Sequence, residues 1–213
     1  VTKINPTETP PPAPNAGEWV RRRTLHWAQF CGRVAHRLGL HPDVITLIGT
    51  LFVMAGGLAA GSGRFALAAW LILVGSLLDA LDGAVARVRG TPHPFGAMLD
   101  SALDRYADGF IFIGLSYHFA GQNQLHLVLL SLLAMVGSYA VSYVRARAAA
   151  PDVGVEVRIG VFTRFERLAV LLVALWLSRW LLVPGLWLLA VGTHITAMQR
   201  LWFVRQHTTG TRE

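Results

Sequence analysis

Six apolar runs separated by short breaks dominate this 213-residue chain, and they restrict it to a bundle of membrane-crossing helices. A helix needs about 20 mostly apolar residues to cross a bilayer. The runs lie at approximately Pro42 to Gly61, Phe65 to Val88, Phe95 to Ala120, Leu125 to Ala146, Phe165 to Ser178 and Leu181 to Phe203. The fifth is short and is expected to reach back to Phe162. Breakers separate them: Gly61-Ser62-Gly63, Gly90-Thr91-Pro92, Gly121-Gln122-Asn123, the stretch from Pro151-Asp152 to Gly160, and Pro184-Gly185. Connections this short make successive helices antiparallel. Composition agrees, with 54% hydrophobic and only 15% charged residues, where a soluble domain carries about a quarter charged. Disorder, collagen and disulfide scaffolds are excluded, and the single Cys31 cannot form an intrachain bridge.

Lys and Arg number 19 against 12 Asp and Glu, a net charge of +7. Around so apolar a core, that excess points to an anionic membrane surface or substrate and not to nucleic acid. Its placement sets the orientation. Arg64 and Arg179 fall on one side of the bundle and Arg105 inside a span, leaving sixteen of the 19 on the other side. By the positive-inside rule that side is cytoplasmic. Both termini are therefore expected in the cytoplasm, with the bundle in a plasma or inner membrane. Residues 1–15, rich in proline, read as a disordered arm. Residues 16–40 mix Trp19, Trp27, Phe30 and Val34 with Arg21, Arg22, Arg23, Arg33 and Arg37. That mixture suits an amphipathic helix lying in the interface, with a plain solvated basic helix as the alternative. Residues 41–207 form one six-helix domain and 208–213 a short tail. No apolar stretch followed by a cleavage site is found, so no signal peptide is expected.

The acidic residues carry the chemistry, because charged groups inside a membrane are costly and mark function by default. Asp79, Asp82, Asp100, Asp104 and Asp108 all fall between positions 79 and 108. Asp79 and Asp82, at i and i+3, end the second span; Asp100 and Asp104, at i and i+4, begin the third. Each spacing puts its pair on one helical face, and a tight hairpin brings the two pairs to similar depth. Four carboxylates that close repel unless protons or metal ions neutralise them. Oxygen-only ligands favour the hard cations Mg²⁺, Mn²⁺ or Ca²⁺ over zinc. Gly83 and Ala86 lie one turn beyond Asp79 and Asp82, and Gly96 one turn before Asp100. Glycine inside a helix costs about 1 kcal/mol relative to alanine, so these positions make room for something flat or bulky. Arg87 adds a cation at the rim. Metals, a bare groove and an arginine together describe a phosphate or pyrophosphate site.

The run Asp79-Ala80-Leu81-Asp82-Gly83-Ala84-Val85-Ala86-Arg87, followed after eight residues by Gly96, Asp100 and Asp104, resembles the CDP-alcohol phosphotransferase motif at every fixed position. The resemblance implies a six-span enzyme that transfers a phosphatidyl or similar group from a CDP-linked lipid to an alcohol and releases CMP. By that analogy Asp79, Asp82, Asp100 and Asp104 hold two divalent cations, Mg²⁺ or Mn²⁺. Asp104 is also the candidate base for the acceptor hydroxyl, and Gly83, Ala86, Arg87 and Gly96 cradle the cytidine nucleotide. Pro42-Asp43-Val44-Ile45-Thr46 is similar to the family's P-N-x-x-T segment. Asp43 there either caps the first helix or, with Thr46, contacts nucleotide. Asp108 reads as a buried hydrogen-bond partner. A homodimer is implied by the resemblance alone.

A second cluster is cationic. Arg145 and Arg147 close the fourth span, Arg164, Glu166 and Arg167 open the fifth, and Arg200 lies in the sixth. Arg147, Arg158 and Arg205 read as membrane anchors. Arg145, Arg164, Arg167 and Arg200 converge on one cytoplasmic mouth, where Glu166 and a bound anion would offset their repulsion. Guanidinium forks suit a phosphate, so the acceptor is an anionic alcohol. Ser142-Tyr143-Val144-Arg145-Ala146-Arg147-Ala148 with Glu166-Arg167 resembles the phosphatidylinositol phosphate synthase branch, with Arg145 where that branch has Lys. Inositol 1-phosphate is the acceptor implied, and glycerol 3-phosphate stays open. A cation or proton transporter using intramembrane aspartates is the rival class.

Overall fold

The computed structural model describes residues 42–89, 94–157 and 159–209, with the backbone alone for residues 42, 82–89 and 209. The arm at 1–15, the interfacial helix at 16–40, the turn at Gly90-Thr91-Pro92, Arg158 and the last residues of the tail lie outside the described residues. All regular structure among the described residues is helical: α1 (Pro42–Gly61), α2 (Phe65–Arg89), α3 (Pro94–Gly121), α4 (Leu125–Ala148), α5 (Arg164–Trp176) and α6 (Ser178–Thr209).

Three of these, over Asp43–Gly61, Leu125–Ala148 and Ser178–Thr208, are long and apolar enough to cross a membrane. The others fall short for identifiable reasons. The apolar part of α2 is Phe65–Leu81, because carboxylates and arginines fill its end. In α3 the 28 residues include Asp100, Asp104, Arg105 and Asp108. With 13 residues, α5 rises about 20 Å, less than the roughly 30 Å of a hydrocarbon core. Leu58, Trp70, Tyr117, Trp180 and Trp187 point outward and are each more than half exposed, which suits lipid surroundings.

Small residues set the packing. α1 lies chiefly against α2 and α3, α4 against α6, and α5 against α6 and α2. A Cβ on Gly57 would come 2.5 Å from the Phe110 carbonyl oxygen, and one on Gly114 would strike the Gly57 carbonyl. Backbone therefore meets backbone where α1 crosses α3, and nothing there can swing aside. Helix propensity favours Gly114→Ala by about 1 kcal/mol. The collision outweighs it, and we expect a net loss of about 2 kcal/mol. A thermal melt in detergent should fall by about 4–8 °C. Gly121→Ala, with nothing within 4 Å of its added carbon, should melt like wild type.

Three boundaries differ from the sequence expectation. The fifth helix does not reach Phe162: Thr163 occupies its N-cap with extended backbone, and the Phe162 N–H instead donates to Thr196 Oγ1 at 3.2 Å. Pro184-Gly185 does not break the sixth helix, which runs from Ser178 through Pro184 to Thr209. There Gly185 lets α6 press on α5, with its Cβ position 2.7 Å from Ala174 Cβ. Asp43 is not an N-cap, because α1 begins at Pro42 and Asp43 sits inside the first turn, where its charge complements the helix dipole.

Candidate active site

The carboxylates gather where the C-terminal half of α2 meets the first turns of α3. One oxygen from each of Asp79, Asp100 and Asp104 lies within 4.8 Å of the others. Asp100 and Asp104 share a face one turn apart, and Asp79 faces them from α2. Asp104 is 16% exposed and Asp79 21%, too buried for like charges to be left to water alone. Such a donor set of oxygens fits a hard divalent cation. The side chains of Asp82, Gly83, Ala86 and Arg87 lie outside the described residues, while the backbone of α2 continues through them. Gly96 and Asp43 adjoin: a Cβ on Gly96 would sit 3.3 Å from Asp43 Oδ1. Thr46 is buried on α1.

Two arginines open α5, an unfavourable place for cations against the helix dipole, and both are met by aspartates. Arg164 donates from Nη1 to Asp79 Oδ2 at 2.7 Å and pairs through Nη2 with Asp104 Oδ1 at 2.5 Å. Buried Arg167 lies 3.3 Å from Asp108 Oδ2 and 3.5 Å from Ser142 Oγ. Arg200, 3% exposed on α6, donates Nη1 to the Val141 carbonyl at 2.7 Å and Nε to the Ile159 carbonyl at 3.0 Å.

These side chains surround a cavity of about 310 Å³ between α3, α4, α5 and α6. Asp104, Asp108, Arg105, Arg145, Arg164, Arg167 and Arg200 all line it. Five guanidinium groups against two carboxylates leave an excess of positive charge that suits an anion. The volume lies at the small end of ligand sites. Asp104 is common to this cavity and to the acidic cluster, so a hydroxyl held here can reach a carboxylate of that cluster without leaving the cavity.

The structure gives one acidic residue a different partner from the one its sequence position suggests, and adds two residues to the site. Glu166 is exposed and receives the Thr163 hydroxyl, and the close ion pairs of Arg164 and Arg167 go to Asp79, Asp104 and Asp108 instead. Arg105, a charge inside α3, also lines the cavity, and the membrane-charge argument that singles out its neighbour Asp104 applies equally to it. Tyr139 was missed altogether: its hydroxyl donates to the Arg105 carbonyl at 2.6 Å, joining α4 to the acidic stretch of α3. Of the expected anchors, Arg147 pairs with exposed Asp152 at 2.6 Å, and Arg205 lies over Trp202.

Known proteins share this architecture. A family model for CDP-alcohol phosphatidyltransferase matches residues 39–199. Phosphatidylinositol phosphate synthase of Mycobacterium tuberculosis is 40% identical over 174 residues, covering 78% of this chain and 79% of that protein. Archaetidylinositol phosphate synthase of Methanothermobacter thermautotrophicus is 37% identical over 183 residues, covering 84% and 90%. The crystal structure of the M. tuberculosis enzyme with CDP-DAG bound superposes with a TM-score of 0.77 at 37% identity, over 83% of this chain and 92% of that one. A second crystal structure of that enzyme, in complex with manganese and citrate, gives the same TM-score.

Proposed function

The chain belongs to the CDP-alcohol phosphatidyltransferase family, and from that premise we propose that it transfers a phosphatidyl group from CDP-diacylglycerol to inositol 1-phosphate, releasing CMP. It is a transferase of substituted phosphate groups and depends on a divalent metal, Mg²⁺ or Mn²⁺. Family membership sets ion transport aside. One observation carries the choice of acceptor: the cavity that reaches Asp104 is lined by five arginines, more positive charge than a neutral alcohol needs.

Asp79, Asp82, Asp100 and Asp104 would hold two cations, which would supply the charge neutralisation that phosphoryl transfer needs. Arg145, Arg164, Arg167 and Arg200 bind the acceptor phosphate and turn its hydroxyl toward Asp104. The hydroxyl oxygen bonds to the phosphatidyl phosphorus, the anhydride bond to CMP breaks, and the hydroxyl proton passes to Asp104. Gly83, Ala86, Arg87 and Gly96 cradle the cytidine nucleotide, with Asp43 and Thr46 beside them. The working unit is a homodimer in the plasma or inner membrane, each protomer contributing a bundle of six helices in which α5 reaches only part of the way across, with the site facing the cytoplasm. The Lys and Arg asymmetry and the gathering of the described aspartates and arginines around one cavity support that orientation.

Release of CMP from CDP-diacylglycerol and Mn²⁺, scored against inositol 1-phosphate, glycerol 3-phosphate, inositol and serine, tests the reading. Inositol 1-phosphate should exceed inositol in kcat/KM by at least about a hundredfold, since a site built for a polar group rejects the analogue lacking it. Equal use of inositol or serine would remove the arginine cavity from acceptor binding. A preference for glycerol 3-phosphate would keep the cavity and change the alcohol.

A further inference from the structure

Arg164 belongs to two sites at once. Its guanidinium bridges Asp79 on α2 and Asp104 on α3, two of the three carboxylates that gather their oxygens within 4.8 Å. The same side chain lines the acceptor cavity beside Arg145, Arg167 and Arg200. Carboxylate lone pairs remain for a second partner, but a positive charge a few ångströms away weakens the pull on any other cation. Arg164 therefore competes with divalent ions for charge more than for ligand atoms.

Two of the other cavity arginines are tied to partners outside the acidic cluster. Arg167 is buried against Asp108 and Ser142, and Arg200 is tied to two backbone carbonyls. Arg164 is the first residue of α5, its side chain 45% exposed, with both of its anchors among the carboxylates themselves. Among the described residues, those two ion pairs are the side-chain contacts it would release.

We propose that Arg164 is an exchangeable counter-ion: it bridges Asp79 and Asp104 until divalent cations take those carboxylates, then turns to the acceptor phosphate. Metal and acceptor binding thus strengthen each other through one side chain. The inference rests on the metal-binding reading of the three aspartates given above. Two things follow from it. The acceptor cavity reaches its full positive charge only in the metal-loaded enzyme. Without metal, Asp104 is occupied by an internal cation.

Mn²⁺ binding to the purified protein, followed by electron paramagnetic resonance with and without inositol 1-phosphate, tests this. In wild type the phosphomonoester should tighten Mn²⁺ about tenfold, and Mn²⁺ should tighten the phosphomonoester by the same factor, as reciprocity requires. Arg164→Ala should bind Mn²⁺ about tenfold more tightly than wild type when the phosphomonoester is absent, and the mutual effect should fall to about twofold or less. Arg145→Ala removes a cation from the same cavity without touching the described ion pairs to Asp79 and Asp104. It should shift Mn²⁺ affinity about twofold or less and keep the coupling. Unchanged or weaker Mn²⁺ binding in Arg164→Ala, or equal coupling in both proteins, overturns the exchange and leaves the metal site standing. Wild-type coupling below about twofold overturns it whether or not the variant folds. No Mn²⁺ bound by wild type overturns the metal reading itself.

Discussion

Asp100→Asn should lower CMP release by at least about a thousandfold, a barrier increase of roughly 4 kcal/mol, while the protein stays folded. Asn matches Asp in shape, so the packing of α3 is kept. What changes is charge and donor number within a cluster whose oxygens lie inside 4.8 Å of one another. A hard divalent cation is held by carboxylate charge, and a neutral amide with one carbonyl oxygen supplies little of it. Asp100 is the cleanest of the three to change, because the described Arg164 ion pairs go to Asp79 and Asp104. Asp79→Asn should be as inactive, yet it also strips a partner from Arg164. Loss of Mn²⁺-dependent nucleotide binding in step with loss of turnover is the expected signature. Near-normal CMP release in both variants would falsify the assignment of these aspartates to metal.

The parts of this arrangement that were legible in the sequence share a physical cause. α1 and α4 are uninterrupted apolar runs between breakers, so their limits were read within two residues. α2 and α3 were legible through their exceptions. The aspartates that dilute their hydropathy recur at helical spacing, and spacing brings Asp79, Asp100 and Asp104 together as the structure does. What stayed hidden involves backbone groups and register between distant helices. Pro184 looks like a stop, but it lies in the second turn of α6, where one missing N–H is tolerated and Gly185 gains a close contact with Ala174. Glu166 precedes Arg167 in sequence and so looks like its partner, whereas the helix turns it toward Thr163 and leaves Asp108 to the arginine. Tyr139 and Arg200 act on carbonyl oxygens, and every residue has one, so no residue pattern announces such a contact.

Arg200→Ala should reduce kcat/KM for the phosphorylated acceptor by at least about a hundredfold, with the KM for CDP-diacylglycerol within about threefold of wild type. A lost phosphate contact alone would raise acceptor KM; the structure adds a second loss. Arg200 holds the Val141 carbonyl of α4 and the Ile159 carbonyl of the connection leading into α5. Charge-assisted hydrogen bonds of this kind contribute about 1.5–3 kcal/mol each, and alanine leaves two carbonyls behind. The connection lies flat on α6 at this point. Gly160 has φ +118°, and a Cβ there would come 2.5 Å from Thr196 Cγ2, while Phe162 is tied to Thr196. Arg164 and Arg167 follow Ile159 by five and eight residues, so loosening the connection moves the end of α5 that carries the two arginines proposed to bind the acceptor phosphate. Lysine tests the distinction, because one ammonium cannot fork to two carbonyls set apart on different elements. If Arg200→Lys recovers wild-type acceptor kinetics, the residue acts as a charge alone. If it stays impaired in kcat as well as KM, Arg200 holds the geometry of the cavity in addition to its charge.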